Sequence, residues 1–318
     1  MVDKNSFKIS LKRIITILLV NILLIFNATD VYASYRQPVA FGIDVSKYQD
    51  DIDWYTVKNN SNVSFAIIKC GSFNSGVDSH FYDNVNGCIE NNIKFGIYIY
   101  SYATTVDEAI DEAFYVVNLI KGYPVSYPIC YDIEDICQLN LSSLEKQNLI
   151  NAFCSTIKNL GYHPLIYSSK HWLEKKIVTI DWDVWVAQFN SECSYDGDYK
   201  IWQNSSHEMI NGIPKCVDTN FQYERFDDYI LKDGLYKSGE YCFCRKDYII
   251  QYGLFDYDGE IYYTDDMGHL QGGVVDIGNS QLFFDPNTFE LLPSRIINYE
   301  RCIYMTDDFG KIIYQKPY

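Results

Sequence analysis

Basic residues are scarce in this chain: 26 Lys and Arg stand against 42 Asp and Glu, a formal charge of −16. A surface this negative repels phosphate backbones, which excludes nucleic acid as a partner. It also offers no long-range attraction to an anionic wall, so binding there has to come from local recognition. Histidine is sparse too, and His80, His163, His171 and His207 fit no nucleophile or metal-ligand constellation. The ten cysteines contain no paired C-x-x-C, and Cys242-x-Cys244 is too isolated to hold a metal, so neither metal nor cofactor is expected. Long apolar runs are missing with one exception, Ile14 to Phe26, which is shorter than the roughly 20 residues that span a bilayer. Lys4, Lys8, Lys12 and Arg13 precede that run and Val31-Tyr32-Ala33 follows it. Residues 1–33 are therefore predicted to be a secretory signal peptide, its cleavage leaving no stable membrane span and an exported or wall-associated protein starting near Ser34.

Tyrosine is abundant, with 29 residues, and supplies flat faces on which sugar rings can stack. The even cysteine count permits disulfides in an exported protein. Cys70 and Cys130, however, lie in strongly apolar strand candidates, where Cys behaves as a small buried hydrophobe, so mostly unpaired thiols are expected. About 285 residues beyond the signal segment are enough for one large domain and one small one.

From Phe41 to Phe221, short runs rich in Val, Ile, Phe and Tyr alternate with amphipathic stretches, the pattern of βα units around a parallel sheet. Strands are predicted at 41–45, 64–69, 95–100, 128–132 and 164–167, each followed by a helix-compatible segment. Thr105-Val106-Asp107-Glu108 reads as a helix N-terminus. Three more strands, 183–188, 199–203 and 215–219, follow with little room for helices between them. Eight strands close a small barrel.

Tyr131-Asp132-Ile133-Glu134-Asp135 sits at the end of the fourth predicted strand. Carboxylates two residues apart on a strand project to the same side, with backbone positions about 7 Å apart, close to the separations at which paired carboxylates cleave glycosidic bonds. Asp44 falls near the end of the first strand and Asp218 at the end of the eighth, its neighbour in a closed barrel. Chemistry in such barrels gathers at the C-terminal strand ends. Each residue also has a plainer reading, Asp44 as a turn residue before Ser46 and Asp218 in an Asx turn with Asn220.

Gly42-Ile43-Asp44-Val45-Ser46, Gln49 and Ile52-Asp53-Trp54 resemble the opening of glycoside hydrolase family 25 lysozymes. Asp78, Phe81 and Asn84, Asp132-Ile133-Glu134, Trp185-Val186-Ala187-Gln188, Ile201-Trp202-Gln203 and Val217-Asp218-Thr219-Asn220 resemble that family's later segments in the same order. The resemblance covers about 40–222. Ile99 stands where the family often carries His, and Phe189 where Tyr is frequent. The resemblance implies a (β/α)5β3 TIM-like barrel of the α/β class that hydrolyses the β-1,4 bond between N-acetylmuramic acid and N-acetylglucosamine in peptidoglycan. It assigns Glu134 as general acid and Asp132 to the developing positive charge, either as nucleophile or by orienting the substrate's acetamido group. Asp44 and Asp218 take supporting roles. Tyr98, Tyr100, Trp185, Gln188, Trp202 and Lys69 are candidate substrate contacts. A non-catalytic glycan-binding protein on the same barrel and an enzyme acting on another amino sugar are the alternatives.

After a predicted linker at 223–238, residues 239–318 change to short aromatic pieces separated by Gly, Asp and Asn. Phe243, Tyr263, Phe284 and Tyr304 recur at intervals of 20, 21 and 20 residues. Tyr263-Thr264-Asp265-Asp266-Met267-Gly268 is echoed by Tyr304-Met305-Thr306-Asp307-Asp308-Phe309-Gly310, a repeat signal. These β-hairpin repeats resemble choline-binding and glucan-binding wall modules, which implies aromatic walls for a quaternary ammonium, as on choline-bearing polymers, or for a glycan. The alternative is that the four aromatics fill the hairpins' own cores.

Overall fold

The computed structural model describes residues 36–177 and 180–318. The predicted signal peptide lies outside the described residues. Residues 38–318 form one compact unit.

Nine strands come first: β1 (Ala40–Val45), β2 (Phe65–Ser72), β3 (Gly76–Val77), β4 (Lys94–Tyr100), β5 (Ile129–Asp132), β6 (Pro164–Ser169), β7 (Val184–Ala187), β8 (Ile201–Glu208) and β9 (Val217–Gln222). Helices α1 (Trp54–Asn60), α2 (Phe81–Glu90), α3 (Val106–Ile120), α4 (Ser143–Asn159) and α5 (Lys170–Lys175) follow β1, the β2–β3 pair, β4, β5 and β6. Strand order β1-β9-β8-β7-β6-β5-β4-β2, with β1 also paired to β2, closes eight strands into a barrel-like sheet. All eight coincide with the predicted strands to within a few residues. Their direction holds one correction. Apart from the short β3, which pairs antiparallel with β2, neighbours from β1 to β8 pair in parallel, but β9 runs antiparallel to both β8 and β1. Asp218 therefore stands near the start of its strand, not the end. Reversal puts that start at the rim where the parallel strands finish, so the residue still reaches the predicted place.

Period-two alternation sorts the side chains. Ile43, Val45, Ile68, Ile97, Ile99, Ile129, Tyr131 and Val186 face outward into the core under the helices. Phe65, Ile67, Cys130, Leu165, Trp185 and Ile201 face inward and fill the barrel. A Cβ on Gly42 would lie 2.5 Å from the Phe65 ring, so the first strand needs glycine there. The predicted helix start at Thr105 is a capping box, with Glu108 N–H donating to Thr105 Oγ1 (3.3 Å) and Thr105 N–H to Glu108 Oε2 (3.0 Å). All ten cysteines are unpaired, five of them buried.

Segment 223–238 is not a free linker. Phe226 and Ile230 are buried beneath the barrel, where Phe226 meets Tyr127 edge-on and Tyr127 stacks on Phe65. The chain then forms antiparallel hairpins: β10 (Gly234–Ser238) with β11 (Tyr241–Lys246) and the short β12 (Ile249–Ile250), β13 (Gly253–Tyr257) with β14 (Glu260–Thr264), β15 (Gly273–Ile277) with β16 (Ser280–Phe284), and β17 (Ile296–Tyr299) with β18 (Cys302–Thr306) and β19 (Ile312–Pro317). Two residues join the strands of each main hairpin, and the first has positive φ: Gly239 (59°), Asp258 (55°), Gly278 (59°) and Glu300 (45°).

The sequence echo in this region is a turn device. Asp265 Oδ1 accepts from Met267 and His269 N–H, and Asp307 Oδ1 from Phe309 and Lys311 N–H. Thr264 and Thr306 each donate their hydroxyl to a carbonyl of the preceding loop, of Gln251 and Leu292 respectively. Phe243 and Phe284 are fully buried and Tyr304 is nearly so, which places these three in the hairpin cores and not on open walls. The 20-residue interval also slipped by one position in the second hairpin. Tyr262 is the buried residue there, and Tyr263 is only half-buried, because adjacent strand residues face opposite sides.

Candidate active site

At the rim where β1–β8 end, a cavity of about 190 Å³ is lined by Asp44, Lys69, Tyr98, Tyr100, Asp132, Tyr167, Trp185, Gln203 and Asp218. Seven of these were singled out from the sequence. Tyr167 and Gln203 were not, although strand alternation marks both: each lies two residues beyond an inward-facing apolar residue, Leu165 and Ile201.

Strand register builds the site's first half. Asp44 faces Asp218 across the β1–β9 pair, and Gln203 faces Asn220 across β8–β9. Gln203 Nε2 donates to Asp44 Oδ2 (2.9 Å) and Asp218 Oδ2 (3.2 Å), while its Oε1 accepts from the Tyr167 hydroxyl (2.9 Å). Asn220 Nδ2 donates to the same Asp44 oxygen (2.8 Å), and its Oδ1 accepts from Trp185 Nε1 (2.8 Å). Each amide is thus fixed in orientation by an aromatic donor on one side and a carboxyl on the other. Burial, then the neighbouring Asp218 charge, pushes Asp44 up to about 8, against the opposing hydrogen bonds from Asn220 and Gln203. The shift favours the protonated form of Asp44. Burial also raises Asp218.

The second half comes from one strand. Asp132 ends β5 and is buried, and its Oδ1 has no hydrogen-bond partner among the described residues. An unsatisfied buried carboxyl oxygen is costly and calls for a partner from outside the chain. Desolvation raises Asp132 well above the usual carboxylate range; Glu134 repels it further and Lys69 acts in the other direction. Glu134, two residues on, is half-buried and raised by desolvation, with Ser169 N–H donating to its Oε2 (3.3 Å). Asp135, which completes the acidic run, behaves differently. Burial pushes it up, but hydrogen bonds from Cys137 N–H and the Tyr100 hydroxyl (3.0 Å) outweigh that and hold it below its ordinary value. Beneath the loop, Gln138 is buried, donating to the Ala103 carbonyl (3.0 Å) and accepting from Asp135 N–H (3.2 Å). These bonds set the turn that carries Glu134 past the rim.

Lys69 lies over the faces of Tyr98 and Tyr100, 5.6 and 4.9 Å from the ring centroids. Tyr98 and Tyr167 each meet Trp185 edge-on, making an aromatic wall. Two predicted contacts stand elsewhere. Trp202 points outward into the core beneath the helices and donates to the Gln188 carbonyl, because its position on β8 alternates with inward Ile201 and Gln203. Gln188 does not line the cavity; its side chain binds Ser194 Oγ and N–H and closes the following loop. Ser46, not Asp44, caps the short turn after β1, accepting from Tyr48 N–H.

Residues 43–213 match the family described as Glycosyl hydrolases family 25. Over 191 residues the chain is 27% identical to the uncharacterized protein YegX of Escherichia coli K12, covering 56% of this chain and 68% of YegX. The modular autolysin LytC from Streptococcus pneumoniae, solved with a synthetic peptidoglycan ligand, is 25% identical with a TM-score of 0.53. That match covers 58% of this chain and 46% of LytC, so the chain spans less than half of that protein. The spore cortex lytic enzyme SleM of Clostridium perfringens matches 88% of this chain and 96% of its own at a TM-score of 0.55 and 15% identity, a likeness of fold.

Proposed function

Because this chain belongs to family 25 of the glycosyl hydrolases, we propose that it is an exported lysozyme that cleaves the β-1,4 bond between N-acetylmuramic acid and N-acetylglucosamine in bacterial peptidoglycan. The observation that carries the reading is the rim pair itself. Asp132 presents a buried carboxyl oxygen with no partner among the described residues, and Glu134 beside it is disposed by burial to keep its proton. Glu134 donates that proton to the leaving glycosidic oxygen as the bond breaks. Asp132 faces the positive charge that develops at the anomeric carbon, and its free Oδ1 is offered to that carbon or to the acetamido N–H of the same sugar. Asp44 is biased toward its protonated form and clamped by Gln203 and Asn220, which sets the shape of the cavity floor and limits the negative charge beside Asp132. Tyr98 and Tyr100 provide faces for a pyranose ring, buried Trp185 backs Tyr98 and fixes Asn220, and Lys69 balances the acidic cluster.

The strand order and the position of the helices support a (β/α)5β3 description of the barrel. The hairpins form a second module, whose wall attachment we assign to half-buried faces such as Tyr263 and not to the buried Phe243, Phe284 and Tyr304. Choline-bearing polymer or bare glycan is its expected ligand. Digestion of purified peptidoglycan followed by mass spectrometry of the new reducing ends tests the bond assignment. Muramic acid ends are expected. Glucosamine ends would move the cleavage to the other linkage, and no ends from any of several wall types would favour a glycan-binding protein.

A further inference from the structure

Away from the rim, where α4 and β6 meet the first hairpin, a second cavity of about 330 Å³ opens between the barrel and β10–β11. Its floor carries Arg245, which is only 2% exposed. A buried guanidinium normally has a carboxylate partner; among the described residues Arg245 makes no ion pair. Nε donates to the Tyr236 hydroxyl (3.0 Å) and Nη2 to the Gly161 carbonyl (2.9 Å), and the same carbonyl accepts from Tyr236 (2.8 Å). Tyr162 and Tyr236 lie against the charge, at 5.5 and 5.1 Å from their centroids. These contacts use two of the five guanidinium donors, and Arg245 lines the cavity.

The walls around it are aromatic and mixed in charge. Trp182 stands on one side with Lys158 over its ring at 5.8 Å. Tyr229 stacks on His163 at 5.3 Å, and Lys237 is exposed at the mouth. Asp181 and Asp183 also line the cavity, but Asp183 is engaged by His163 at 2.8 Å.

The geometry points to a second binding site at this seam, for a sugar that carries one oxyanion, a carboxylate or a phosphate. The oxyanion meets the guanidinium donors of Arg245 that Tyr236 and Gly161 leave open, and the sugar ring lies on Trp182 or Tyr229. Asp181 and Asp183 on the far wall disfavour a second negative group. The site is separate from the carboxyl pair and does not depend on turnover.

The test is amide NMR on the full chain carrying Glu134→Gln, titrated with N-acetylmuramic acid, glycerol 3-phosphate and the neutral N-acetylglucosamine. Shifts at Gly161, Trp182 and Lys237 are expected with one or both acids, and at least about tenfold weaker binding at those amides with the neutral sugar. A response to the first acid alone identifies a carboxylate sugar as the source, and to the second alone a phosphate. Arg245→Gln is expected to abolish these shifts. Should that variant fail to fold, Trp182→Ala and Lys237→Glu, both at the mouth, are each expected to weaken binding several-fold. Absence of shifts at these amides with both acids, equal shifts with the neutral sugar, or binding unchanged in the variants would overturn the site.

Discussion

The barrel and the hairpins treat their acidic residues differently. The hairpins bury the aromatic residues Phe243, Tyr262, Phe283, Phe284 and Tyr304 but, among the described residues, no acidic residue, and Asp265, Asp285 and Asp307 accept turn N–H groups near the surface. Each of these three accepts those N–H groups from within four residues. The barrel buries Asp44, Asp78, Glu112 and Asp132. Asp44 and Asp132 differ among these, one satisfied by amides from strands distant in sequence and one left with a free oxygen. An acid satisfied locally builds structure, whereas one desolvated and short of partners is held ready for something that is not part of the chain.

That contrast can be broken at several points. The largest effect is expected at Asp132→Asn, which replaces the buried carboxyl bearing the unpartnered oxygen with an amide. Turnover on peptidoglycan should fall at least about 100-fold, while thermal stability at pH 7 rises, since burial and Glu134 both oppose ionisation of Asp132. A loss of stability in that variant would mean the carboxylate is structural. Next comes Phe243→Ala, expected to cost about 3–5 kcal/mol in chemical denaturation, because the ring is fully buried against the barrel beside Gly161, where an added Cβ would meet it at 2.8 Å. Under conditions where it stays folded, its cleavage of soluble fragments should match the parent.

The Asp44 clamp predicts a pH dependence. Its folded value, about 8, lies above the unfolded value of 3.8, so the folded state binds the extra proton between them. The contribution is neutral below pH 4 and becomes an increasing cost as pH rises toward 8. Melting curves from pH 5 to 9 should therefore fall less steeply for Asp44→Asn than for the parent; parallel curves would remove the protonated clamp. The smallest structural effect is expected at Asp307→Ala, about 1 kcal/mol from the loss of two turn N–H partners, with turnover unchanged. Trp202→Phe, outside the cavity, should change turnover less than Trp185→Phe, which loses the donor to Asn220.

The eight strands and the rim position of Asp44, Asp132 and Asp218 were legible because period-two alternation and strand-end placement are local signals. The antiparallel run of β9 was not, since strand direction depends on which neighbour closes the sheet and leaves no trace within six residues. Gln203 and Asn220 stood in the quoted motifs but received no site role, for a related reason. Amides do not titrate, and their importance arises only when β8 and β9 bring them against Asp44. In the hairpins the repeat was visible but its phase was not: equal spacing selected Tyr263 where the fold buries Tyr262, and one residue reverses the face.

The most direct test of the central claim, that chemistry resides in the rim pair and the hairpins carry none, is Glu134→Gln assayed for wall binding and for new reducing ends in the same sample. The account predicts parental binding to peptidoglycan and loss of nearly all new ends, by about 100-fold or more. Parental release of ends by that variant would remove Glu134 as the acid and contradict the account.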